Sequence, residues 1–141
     1  MLIPFDRDGI TLPVCDELLC LVDDVAQQAP QALANSTAIT FNFRDPDYDP
    51  QRGGFHPVEI RLVQGLNGWL FDYVTDFSYQ GLGQDAELCK ELDFNFLDRE
   101  YFMLGWGALR HQHACEIFSL WQRNFLHYQK MGCFAVTAQS E

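Results

Sequence analysis

Phe41-Asn-Phe-Arg-Asp-Pro-Asp-Tyr-Asp-Pro-Gln-Arg-Gly-Gly-Phe-His-Pro-Val-Glu-Ile-Arg61 is the stretch whose reading decides the fold. Leading into it, Thr37, Ile39, Phe41 and Phe43 alternate with Ala38, Thr40, Asn42 and Arg44, the period of a strand with one face turned inward. Beyond it, Val58, Ile60 and Leu62 alternate with Glu59, Arg61 and Val63 in the same way. Between the two runs, Asp45 to Gly54 collects carboxylates, prolines and glycines, which end a strand and stiffen the connection. Polar groups held on a stiff loop between strands are where a small domain commonly carries its function.

A third run comes after Gly65-Leu-Asn-Gly68: Phe71, Tyr73, Thr75 and Phe77 alternate with Leu70, Asp72, Val74 and Asp76, which makes a hairpin with the second. A tight turn on Asn67-Gly68 sets Glu59 against Asp76, whereas a looser loop from Gly65 to Gly68 sets Arg61 against Asp72. Unlike charges across a strand pair help and like charges hurt, by about 0.2 to 1 kcal/mol each, so charge favours the looser loop. Either register leaves Ile60 and Leu62 on the face of Phe71 and Tyr73.

From Pro13 to Ala29, apolar residues at Val14, Leu18, Leu21, Val22, Val25 and Ala29 form a helical stripe opposite Asp16, Glu17, Asp23, Asp24 and Gln27, with Pro30 as the stop. Asp93 to Leu97 reads as a short strand with Phe94 and Phe96 inward. The glycine-rich and aromatic segment Tyr101 to Gly107 reads as a link into a long helix. There Ala114, Ile117, Phe118, Trp121, Phe125 and Tyr128 keep helical spacing, and Gly132 supplies the end. Cys133 to Thr137 is a final strand. The expected order is α-β-β-β-β-α-β, a single α+β domain over residues 1–141. Short links between β runs imply a mainly antiparallel sheet of about five strands with two helices packed on one face. The open face is expected to carry Thr40, Asn42, Arg44, Glu59, Arg61, Asp72 and Asp76.

Composition narrows the class. With 141 residues, 48% hydrophobic and 14% aromatic, the chain has the size and apolar content of one globular domain rather than a disordered segment. Twenty Asp and Glu against nine Lys and Arg give a net charge of −11, which repels a phosphate backbone and argues against direct nucleic-acid binding. The carboxylates are scattered rather than blocked, so phosphate mimicry is not favoured either. Cys15, Cys20, Cys89, Cys115 and Cys133 are odd in number and lack Cys-x-x-Cys spacing, as expected of reduced thiols in a cytoplasmic protein. The start, Met1 to Asp8, lacks the basic end and apolar run of a signal peptide, and no stretch approaches the roughly 20 apolar residues of a membrane span.

Asp45, Asp47 and Asp49 have the alternate spacing that opens calcium loops, but Pro50 stands where the sharp turn wants glycine and His56 where a bidentate glutamate belongs. A turn in which these carboxylates bond their own backbone is the simpler account. His111 and Cys115 could share a helical face, with His113 between them and His127 later, yet no further zinc ligand has a recognisable spacing. His56 with Glu59, Asp72 and Asp76 has the composition of an acid/base group. Alternation opposes it, because His56 shares the parity of Val58 and Ile60 while the carboxylates point the other way unless a bulge intervenes. No nucleophile elbow, phosphate loop or dinucleotide fingerprint is present. Tyr48, Phe55, Trp69, Tyr79 and Trp106 fall in loops or at strand ends, where aromatic side chains are available to partners.

Phe43-Arg-Asp-Pro-Asp-Tyr48, Arg52-Gly-Gly54, His56-Pro-Val-Glu-Ile-Arg61, Thr75-Asp-Phe-Ser-Tyr79 and Asp93-Phe94 resemble, in order, the signature blocks of a bacterial family called domain of unknown function 2787. The resemblance implies a small bacterial protein of a kind often carried on mobile genetic elements, and brings no activity, cofactor or catalytic residue. The function expected from the residues is therefore a non-enzymatic protein-binding or regulatory module. Its surface would comprise Arg44, Asp45, Asp47, Tyr48, Arg52, Phe55, His56, Glu59, Arg61, Asp72 and Asp76, its partner another protein, and its cofactors none. The alternatives are a small-ligand or catalytic pocket between sheet and long helix, placed near Tyr101 and Trp106, and a divalent ion at Asp45, Asp47 and Asp49. Self-association through an exposed strand edge is a further alternative.

Overall fold

The structure, a computed structural model, describes residues 1–141. Helix α1 (Asp16–Gln27) and a single turn α2 (Pro30–Leu33) precede strands β1 (Ala38–Arg44), β2 (Val58–Gly65), β3 (Gly68–Gln80), β4 (Glu87–Asn95), β5 (Glu100–Met103) and β6 (Gly107–Leu109). The long helix α3 (His111–Lys130) and strand β7 (Ala135–Ser140) complete the chain. The strands form one antiparallel sheet of seven in the order β6-β5-β4-β3-β2-β1-β7, so β7 returns to pair with β1 and the other neighbours are consecutive.

The α+β antiparallel plan is as expected, but there are seven strands rather than about five. Two segments account for the difference. The supposed link from Tyr101 is the hairpin β5-β6, whose short strands bring Tyr101 and Leu109 into the core. The strand expected only from Asp93 begins at Glu87, because pairing along the second half of β3 holds Glu87, Lys90 and Glu91 extended despite their poor strand preference. Pro13 and Val14 lie outside α1, and Pro30 opens α2 as well as ending the helix before it.

Core and open faces obey the alternation in the first strands. Ile39, Phe41, Phe43, Val58, Ile60 and Leu62 are buried beneath α1 and α3, and their neighbours Asn42, Glu59 and Arg61 are half-exposed. From α3, Phe118 packs edge-on against Phe94 at 5.1 Å and Phe125 edge-on against Phe43 at 5.0 Å, while Trp121 stacks on Phe125. Burying each such ring contributes about 1.5–3 kcal/mol, which fixes the helix on the sheet. Buried Gln122 ties α3 to the start of α1, accepting from the Cys15 amide and donating to the Pro13 carbonyl. Asp23, expected on the wet side of α1, is buried instead: its carboxylate accepts the Leu2 and Ile3 amides and anchors the amino-terminal segment. Trp69, expected to be available at a strand end, is buried too, beside the Phe5 bridge. No helix is long and apolar enough to cross a membrane.

In the β2-β3 hairpin, Gly65 pairs with Gly68 and Gln64 with Trp69, the register that charge favoured, although only Leu66 and Asn67 form the turn. The register then slips: Leu62 faces Phe71, but Arg61 faces Tyr73, leaving Asp72 as an extra residue. A second slip puts Asp76 opposite Leu92 and Phe77 opposite Lys90, leaving Glu91 as the extra residue on β4. Each bulge sets two residues of one strand against one of its partner, and so re-aims the side chains beyond it. Val74, Asp76 and Ser78 consequently lie inward, where Tyr73, Thr75 and Phe77 were expected.

Candidate functional site

The loop of residues 45–57 closes on its own carboxylates. Asp45 accepts the Asp47 amide (2.9 Å) on one oxygen and the Phe55 amide (3.0 Å) on the other, clamping the two ends of the loop together. Asp49 accepts the Gln51 and Arg52 amides and pairs with the Arg52 guanidinium, and the Arg52 amide in particular holds its carboxyl below the usual carboxylate range. At Asp45 and Asp49 the oxygens that a calcium loop would aim at an ion are turned to the backbone. Asp47 is exposed. Gly54 closes the turn with φ +135°, where an added Cβ would sit 2.8 Å from the Asp45 carboxylate.

Closing the loop places two aromatic side chains and a histidine. Tyr48 stacks on Tyr79, its hydroxyl accepting the Tyr79 amide, and Phe55 packs on Tyr128 of α3 with ring centres 4.7 Å apart. His56 lands on the inner side of β3, where the bulge at Asp72 has turned Asp76 toward the helices. His56 Nδ1 lies 2.7 Å from Asp76 Oδ1, and Trp121 Nε1 donates to Asp76 Oδ2 at 2.9 Å. Glu91, the bulged residue of β4, brings Oε2 to 2.8 Å from the same His56 nitrogen, but that oxygen is buried and makes no hydrogen bond. The Asp76 hydrogen bond is the main cause that raises the His56 pKa above its ordinary value, against partial burial, with the Asp76 and Glu91 charges adding to the rise.

His56 and Asp76 form the polar end of a cavity of about 330 Å³ between the loop, the inner sheet face and α3. Its walls are aromatic, supplied by Phe55, Trp121, Phe125, Tyr128 and Phe134, with Asn124 at the side. Neither Tyr101 nor Trp106, where a pocket was expected, lines this cavity. Tyr101 is buried with its hydroxyl on His111 Nδ1, and Trp106 stands 68% exposed in the turn of the β5-β6 hairpin. Sequence reasoning missed Glu91 altogether and took Trp121 only as core. The available signal was Trp121 itself, since a buried indole N–H needs an acceptor.

The remaining predicted residues divide between two places. Glu59, Arg61 and Asp72 lie on the open sheet face, as expected, whereas Asp76 does not join them because of the bulge. Arg61 donates to Glu141 and, at 2.6 Å, to Asp72, and these bonds, the Glu141 one first, raise its pKa while lowering that of Glu141. Glu59 accepts from the Tyr73 hydroxyl, whose pKa is raised by burial first and by that carboxylate second. Arg44 and Arg52 are exposed at the loop. His111 Nε2 contacts Cys115 Sγ at 3.4 Å while its other nitrogen meets Tyr101, so this pair gathers no third metal ligand.

Residues 16–139 match the family described as "Protein of unknown function (DUF2787)". The chain belongs to that family. Among solved structures, this DUF2787 chain is similar to a hypothetical protein from the VSP-II pathogenicity island of Vibrio cholerae, with 34% identity, a TM-score of 0.85, and 94% of this chain and 96% of that one covered. It is also similar to a conserved hypothetical protein from the V. cholerae pathogenicity island VPI-2, with 31% identity, a TM-score of 0.79, and 92% and 97% covered. The latter is described as sharing structural homology with the human P32 protein. No curated protein matches the DUF2787 chain.

Proposed function

We propose that this DUF2787 domain is a small-ligand-binding module whose ligand enters the cavity between the Gly54–Val58 segment and α3. The observation that carries the reading is the convergence of His56, Asp76 and Glu91, from a loop and two bulged strands, beside an aromatic-walled cavity. Two bulges spent on aiming two carboxylates at one imidazole are a costly way to build a core, and bulges are over-represented next to active sites. The walls suit a small, largely apolar molecule, and the cluster suits one polar end. Trp121 lines the cavity, so its fluorescence reports occupancy. The test is a small-molecule screen by ligand-observed NMR, with hits titrated against that fluorescence. Asn124→Trp, which fills the side of the cavity from an exposed helical position, is expected to abolish binding. Hits that bind this variant as well as wild type would refute the assignment.

A second reading, recognition of another protein, is supported by the sheet face that carries no packed helix. There Glu59, Arg61 and Asp72 are held in place by Tyr73 and Glu141, with Arg44 and Arg52 exposed at the adjoining loop. The free edge of β7 is where a second copy would add a strand. The origin of both similar proteins in pathogenicity islands fits a mobile-element setting for the family.

A further inference from the structure

We propose that His56, Asp76 and Glu91 form a binding site for a first-row divalent metal ion. The inference deepens the cavity reading and rests on it for what the metal would face. One imidazole nitrogen and two carboxylates are the donors of many such sites, and these three come from separate elements, so the folded chain alone assembles them.

The spacing fits. The three ligand atoms lie within 4.8 Å of one another, and the nitrogen is 2.7 and 2.8 Å from the two oxygens. Metal bonds of about 2.0–2.2 Å separate neighbouring ligands by roughly 2.8–3.6 Å at octahedral or tetrahedral angles, so the nitrogen and each oxygen have to part by less than about 1 Å. A proton fits less well. Nδ1 carries at most one hydrogen, and Asp76 takes it, leaving buried Glu91 Oε2 without a donor. Two carboxylates about one imidazolium also leave a negative charge in a half-buried place, which a divalent cation in the proton's position would satisfy.

The surroundings fit as well. The Trp121 indole holds Asp76 Oδ2, so Oδ1 is aimed at the site by a hydrogen bond outside it, the usual support of a metal-binding side chain. Three protein ligands leave coordination positions free, in the manner of reactive rather than purely structural sites. His56 and Asp76 line the cavity, so those positions would face it, and the polar end of a cavity ligand would be an oxygen donor such as a carboxylate or hydroxyl.

The experiment uses the full chain, stripped with chelator and dialysed, titrated calorimetrically with zinc, manganese and cobalt salts, with the visible spectrum of bound cobalt as a second readout. One saturable site per chain, at micromolar or lower dissociation constant for at least one ion, is expected. Glu91→Gln, which keeps the shape of the side chain, and His56→Gln are expected to weaken binding by at least about ten-fold. Asp47→Asn in the neighbouring loop and His111→Ala at the other end of α3 are expected to leave it within about two-fold. Circular dichroism and melting temperature establish that each variant is folded. No saturable binding by wild type, or binding by folded Glu91→Gln and His56→Gln equal to wild type, overturns the proposal. Metal-free protein that still binds small molecules in the cavity would then leave the cavity reading standing. Metal binding without any cavity ligand would sustain the metal site and count against that reading.

Discussion

Asp76 is the residue on which the inner site turns, and its removal gives a cost that can be worked out. Its side chain is 12% exposed, so what it bonds is bonded in a largely dry place. Asp76→Ala strands the buried Trp121 indole N–H, at about 1–3 kcal/mol for an unsatisfied donor. It also removes the charge-assisted bond to His56, which in full burial is worth about 1.5–3 kcal/mol and here about 1, because His56 is 38% exposed and solvent screens it. Part of this is returned, since Glu91 lies 2.8 Å from the same nitrogen and becomes its partner. The net expectation is a loss of about 2–3 kcal/mol, or roughly 6–10 °C in melting temperature for a domain of this size.

Asp76→Asn separates the two contributions. The amide oxygen still accepts from the indole, so only the charge contribution goes and the loss falls to about 1 kcal/mol. Trp121→Phe keeps the ring and removes the donor, and combined with Asp76→Ala it costs less than the sum of the single changes, by about 0.5–2 kcal/mol of coupling. Urea unfolding monitored by circular dichroism at pH 7 with chelator present measures the four variants against wild type, provided the slopes agree. If Asp76→Ala lies within about 0.5 kcal/mol of wild type, as surface substitutions do, or Asn costs as much as Ala, the inward aim of Asp76 is wrong and the bulge at Asp72 goes with it.

Three other outcomes are expected. Gly54→Ala forces a Cβ against the Asp45 carboxylate at a left-handed φ, and is expected to cost about 1–3 kcal/mol by urea unfolding while Gly53→Ala, with open space around it, costs less. In metal-free protein the His56 pKa, read from ring proton shifts, is expected above 6.5 and lower in Glu91→Gln. Because it is raised on folding, the stability it contributes is complete below pH 6.5 and disappears as pH rises through the folded value; a folded pKa at or below 6.5 contradicts the geometry. Arg61→Glu loses the Asp72 pair, worth about 0–1 kcal/mol after solvent screening, together with the Glu141 contact, and is expected to lower stability in urea by about 1 kcal/mol and to leave cavity binding unchanged. Weakened cavity binding in that variant would mean the two faces are coupled.

What was legible in the chain depended on whether a residue's direction is set by its neighbours in sequence. Ile39, Phe41 and Phe43, then Val58, Ile60 and Leu62, alternate against polar residues that have no other place to go, and all lie in the core. The aromatic spacing of α3 was equally plain. In β3 the sequence supports both parities: Tyr73, Thr75 and Phe77 make as good an inward set as Val74, Asp76 and Ser78 by strand preference, and better by apolar content. One extra residue therefore changes the answer without leaving a local trace. The trace lies elsewhere, in partners that must be satisfied. Arg61 and Glu59 need the bulge to bring Asp72 and Tyr73 side by side on the open face, and the Trp121 indole needs an acceptor that only an inward Asp76 supplies. Glu91 had no such partner to betray it, because its buried Oε2 accepts no hydrogen bond, a condition shared only with Gln129 Oε1. The residue least visible in the sequence is thus the one that argues most directly for a bound cation.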